Sequence, residues 1–66
     1  MKLQINDSGS WRHAFSFNAN DEKEVRMRAA KLACIVNEHC KLRILGDDNS
    51  VRARSSGPDF DWKEVV

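Results

Sequence analysis

Hydrophobic spacing changes period twice along this chain, and that change is the strongest limit on what it can fold into. Trp11, His13, Phe15 and Phe17 alternate with Arg12, Ala14 and Ser16. A repeat of two puts one set on each side of a strand. From Val25 the repeat lengthens. Val25, Ala29, Leu32, Ala33 and Val36 recur at the spacing of one helix face, with Met27, Ala30 and Ile35 at its flanks. The period then returns to two: Leu42 and Ile44 alternate with Lys41 and Arg43, and Val51 and Ala53 with Arg52 and Arg54. A shorter alternation, Leu3 and Ile5 against Lys2 and Gln4, opens the chain.

The punctuation agrees with these periods. Asn6-Asp7-Ser8-Gly9-Ser10 and Gly46-Asp47-Asp48-Asn49-Ser50 are dense in turn formers, and each separates two strand patterns. Asp21 and Glu24 have capping-box spacing at the helix start, with Asn18 and Asn20 as alternative caps. The helix stop is expected between Asn37 and His39, where Asn37 suits a left-handed residue. The expected fold is α+β, a two-layer ββαββ domain over residues 1–58. Its strands lie near 2–6, 11–17, 40–45 and 50–55, its helix lies near 20–38, and the sheet is mostly antiparallel with the helix on one face. The acidic and aromatic tail, residues 59–66, reads as a fifth strand or a docked segment. Strand order stays open at this level.

Sixty-six residues suffice for one domain and leave a thin margin of stability, since ordering costs about 1.5 kcal/mol per residue. A deep catalytic cleft is hard to build from so small a core, so an enzyme is not expected. No apolar run reaches the length of a membrane-spanning helix. The opening Met1-Lys2-Leu3-Gln4-Ile5-Asn6 lacks the apolar core of a secretion signal, which points to a cytoplasmic protein. Cys34 and Cys40 are then two free thiols.

The net charge is only +1, yet the cations are unevenly placed. Strict alternation puts Leu3, Ile5, Trp11, Phe15, Phe17, Leu42, Ile44, Val51 and Ala53 on the core face. The opposite face takes Lys2, Arg12, Lys41, Arg43, Arg52 and Arg54 with no acid among them. Such a face suits an acidic protein or a nucleic-acid backbone, and Arg12, Lys41, Arg43, Arg52 and Arg54 are its candidate contacts. It also fits an ordinary solvated sheet face. Strict alternation leaves this face without an aromatic for bases to stack on. The tail offers a competing outcome, in which its acids pair with these cations and Phe60 and Trp62 cover the sheet. Phe60 and Trp62 are equally candidate contacts in a homodimer.

Candidate chemistry is sparse. Cys34, His39 and Cys40, with His13, include metal-ligating types, but their spacing matches no common zinc pattern. Asp47-Asp48 and Asp59/Asp61 are explained by turn chemistry. Gly9, Gly46 and Gly57 are isolated, so no phosphate-cradling loop is present. No catalytic residue, metal site or cofactor is assigned. The expectation is a small interaction module, or a structural module that dimerises.

Overall fold

The computed structural model describes residues 1–7, 9–36 and 39–65. The elements run β1 (Lys2–Asn6), β2 (Arg12–Ser16), a 3-10 turn (Ala19–Asp21), α1 (Glu22–Val36), β3 (Lys41–Leu45), β4 (Val51–Ser56) and β5 (Lys63–Glu64). One helix packs against a five-stranded antiparallel sheet of order β2-β1-β3-β4-β5, an α+β fold. The radius of gyration is 10.7 Å, matching the ~10.8 Å expected of a fully collapsed chain of this length. The tail is therefore folded in.

The strand order follows from the connections. Each hairpin turn pairs its own two strands, β1 with β2 and β3 with β4. Helix α1 then carries the chain from edge strand β2 over β1 to β3. β2 and β3 consequently run parallel, with β1 antiparallel between them. In the first turn Gly9 has φ 96° and donates its N–H to Asn6 Oδ1. In the second, Asn49 takes φ 66°, and Asp48 accepts from both the amide and the hydroxyl of Ser50. These bonds, the hydroxyl first, hold the Asp48 carboxyl below its ordinary value.

Helix α1 starts after the 3-10 turn, with Glu22 and Glu24 in its first turn where the helix dipole favours acids. Asn18 caps the 3-10 turn with its backbone and makes no side-chain cap. The expected stop at Asn37, the turn residue Ser8, the side chain of Val36 and the terminal Val66 lie outside the described residues. The core cluster joins Ala33 of the helix with Cys40, Leu42 and Phe60, and Ile5, Ala29, Ala30 and Trp62 pack around it. Ile44 and Ala53 are 0% exposed at the sheet centre.

The tail is both docked and paired. Phe60 is buried, β5 extends the sheet edge beyond β4, and the Val65 amide donates to the Arg52 carbonyl. Trp62 lies against the helix: its indole N–H donates to the Arg26 carbonyl at 2.7 Å, and its ring stacks under the Arg26 guanidinium. That guanidinium also binds Glu22 and Glu64, so one arginine ties helix start, helix body and tail together. Among its causes, the bond to Glu64 comes first in raising the Arg26 pKa, and the same bond lowers that of Glu64.

Two irregularities change which face several side chains occupy. In β2 the register against β1 runs Leu3 opposite Phe15, then Gln4 opposite His13, so Ala14 is an extra residue. In β4 it runs Ile44 opposite Ala53, then Leu45 opposite Val51, so Arg52 is extra. One inserted residue reverses the sidedness of everything beyond it.

Candidate functional site

The open face of the sheet, opposite α1, carries a groove of about 600 Å³. Lys41 and Arg43 of β3, Arg54 and Ser56 of β4, and Lys63 of β5 line it. The alternation of β3 and β4 requires this: Leu42, Ile44, Ala53 and Ser55 point to the helix, so their neighbours point out. Arg43 and Arg54 lie directly opposite each other in the ladder. Directly opposed like charges repel. Arg43 turns toward β1, where it donates its Nε–H to Gln4 Oε1 at 2.7 Å.

Trp11 also lines this groove, and here strict alternation fails. The bulge at Ala14 moves His13 beside Gln4 and brings Trp11 onto the open face, where the Arg43 guanidinium sits 4.1 Å from its ring centroid. Trp11 is half-buried and His13 is exposed, so Trp11 is not the core residue that simple alternation predicts. Phe15 and Phe17 stay on the helix side and meet edge to face at 6.1 Å, but Phe15 is 46% exposed. The open face therefore has an aromatic after all.

The same irregularities remove two of the expected cations. Arg12 lies opposite Ile5 and binds Asp7 through both carboxylate oxygens. Arg52, the extra residue of β4, swings toward the helix start and lies 3.9 Å from Glu22. Val51 takes the open face opposite Leu45 instead of the core. Of the five candidate contact cations, the structure brings together Lys41, Arg43 and Arg54, and it adds Lys63 from the tail. Sequence reasoning missed Trp11 and Lys63. The signal for Trp11 would have been a bulge, and nothing in Arg12-His13-Ala14-Phe15 advertises one.

The tail does not neutralise this face. Its aromatics face the helix, and Glu64 binds Arg26. Glu64, already bound to Arg26, lines the groove, as do Asp59 and Asp61. Among the described residues neither Asp59 nor Asp61 forms an ion pair, and neither do Lys41, Arg43, Arg54 or Lys63. The cations are thus available to a bound anion. The arrangement can take phosphates or carboxylates along a row of cations beside one flat ring.

Phe60 and Trp62 sit in the core and against α1, away from this groove. Cys34 is exposed and Cys40 is buried, and both are free thiols. Burial, with a smaller contribution from Asp7, pushes the Cys40 thiol pKa up. Among the described residues no group of His, Cys, Asp and Glu is placed to hold a metal ion. No described helix is long and apolar enough to cross a membrane. Comparison with family models, with curated proteins and with solved structures returned no match for this chain, so the groove's own geometry carries the functional reading.

Proposed function

We propose that this chain is a non-catalytic binding module for single-stranded nucleic acid, acting through the open sheet face. The observation that carries the reading is Trp11 in one groove with Lys41, Arg43 and Arg54, none of these cations being ion-paired among the described residues. Cations along a groove track phosphates, and a ring beside them stacks a base of any identity, contributing about 1–3 kcal/mol per base. A solvated face needs the cations but has no use for the ring. Arg43 is held in place by Gln4 and Trp11, so less side-chain freedom is lost on binding. Free thiols fit a cytoplasmic setting for such a module. No cofactor enters this reading.

Fluorescence anisotropy with labelled single-stranded and duplex oligonucleotides tests it. Binding is expected at low salt, stronger for single strands, with log affinity falling against log salt at about 0.7 per phosphate contacted, or about −2 for three cations. Trp11→Ala is expected to weaken single-strand binding roughly 5-fold to 150-fold, the equivalent of 1–3 kcal/mol. Arg54→Glu should also flatten the salt slope. No binding at low salt, or binding indifferent to Trp11→Ala, refutes the proposal. Binding that survives Trp11→Ala, fails with Arg54→Glu and is displaced by poly-glutamate would reassign the face to an acidic protein.

A further inference from the structure

Helix α1 does not cover the whole sheet. It leans toward β3 and the tail, where Ala29, Ala30 and Ala33 meet the core and Trp62 wedges in. Over β1 and β2 it leaves a groove of about 400 Å³, floored by Leu3, Ile5 and Phe15 and walled by Val25, Ala29 and Leu32. Beside this groove the helix raises two apolar side chains into solvent, Leu32 at 63% and Ile35 at 76% exposure. Three residues apart, they share one side of the helix.

We propose that two copies of this chain associate through this groove, about a two-fold axis, each inserting its Leu32 and Ile35 into the other's groove. This goes beyond the nucleic-acid reading and does not depend on it. A two-fold contact needs a patch complementary to itself. Here the hole and the side chains that fill it lie next to each other, so one rotation satisfies both. The charge at the rim agrees. Glu24 and Arg28 neutralise each other through a 2.6 Å ion pair, so two copies meet there without net repulsion. The open face with its unpaired cations would repel a second copy. Edge strand β2 has all five residues exposed and lies at the same rim. Its bulge at Ala14 works against a continuous strand-to-strand ladder, so the contact rests on side chains. A patch this small implies a weak dimer, dissociating in the micromolar to millimolar range.

Sedimentation equilibrium of the full chain from about 10 µM to 1 mM tests the proposal. The average mass is expected to rise from 7.6 kDa toward twice that value. Leu32→Glu and Ile35→Glu are expected to hold the chain monomeric. Met27→Glu is the matched control for Leu32→Glu: Met27 is 61% exposed, stands about 140° round the helix from Leu32 and about 12 Å along it from Ile35, so its variant should dimerise like the parent. Circular dichroism checks that each variant is folded. Independently of any variant, amide shifts that change with concentration should map to Leu3, Phe15, Val25 and Leu32. A chain still monomeric at 1 mM overturns the proposal. So does a dimer that ignores Leu32→Glu, that is lost with Met27→Glu, or whose shifts map elsewhere.

Discussion

Phe60 fixes the tail to the core in a backbone conformation that phenylalanine seldom adopts, with φ 53° and 4% exposure. These two facts pull in opposite directions and can be separated by substitution. Removing the ring forfeits its transfer energy and leaves a cavity among Ala33, Cys40 and Leu42, for a loss of about 3–5 kcal/mol in Phe60→Ala. A chain of this length has about 3–10 kcal/mol in total, so the variant loses a third or more of its stability. Alanine keeps the left-handed penalty of about 1–2 kcal/mol, because its Cβ still crowds the carbonyl. Glycine escapes that penalty and loses about 0.5–1 kcal/mol in chain entropy. Phe60→Gly should therefore be the milder variant by about 1 kcal/mol, the reverse of the usual order. Urea unfolding followed by circular dichroism measures both, provided the slopes agree. A Phe60→Gly variant clearly less stable than Phe60→Ala would refute the left-handed assignment. A loss below about 1 kcal/mol in Phe60→Ala would refute the burial.

Trp62→Phe keeps the ring against the helix but removes the donor to the Arg26 carbonyl and weakens the stacking on Arg26, so a loss of about 1–2 kcal/mol is expected in the same urea assay. The Glu64 carboxyl titrates below its ordinary value because Arg26 holds it ionised. A group whose folded pKa is lowered stabilises above its unfolded pKa, and that contribution fades as pH falls through the folded one. β5 should thus be indifferent to pH near neutrality and loosen only below the ordinary carboxylate range. Backbone shifts of Lys63 and Glu64 report it, and Glu64→Gln should abolish the dependence. Cys34 should react at once with a thiol reagent at mildly alkaline pH, while Cys40, 1% exposed, reacts only as the chain opens. Equal rates for the two thiols would contradict the packing around Cys40.

The fold was legible because hydrophobic period and turn chemistry are local properties. Leu42, Ile44 and Ala53 fall inward as their spacing predicts. The faces were less legible, because alternation propagates an error. Ala14 and Arg52 are unremarkable residues in strand patterns, yet each is the extra residue of a bulge. What selects the bulges is tertiary. Arg52 gains the acidic helix start at Glu22, and Trp11 gains Arg43 on a strand thirty residues along the chain. Of the helix stripe, Ala29 and Ala33 meet the core, whereas Leu32 is 63% exposed. Trp62 tilts the contact toward Ala29, Ala30 and Ala33 and leaves Leu32 and Ile35 outside. A tail of alternating acids and aromatics does not announce which helix carbonyl its indole will reach.

The position of β1 between β2 and β3 governs how fast this molecule assembles. Both hairpins close over short turns, so their pairings are local and form fast. The seam between them does not. Lys2 must find Leu45, and Asn6 must find Lys41, across the helix and both its connections. Closing that long loop costs entropy before any core forms. The rate-limiting event is then the docking of two ready hairpins along β1 and β3, with α1 folding down onto the joint. The tail contacts at Phe60 and Trp62 come after it, so they act chiefly as a latch that slows opening.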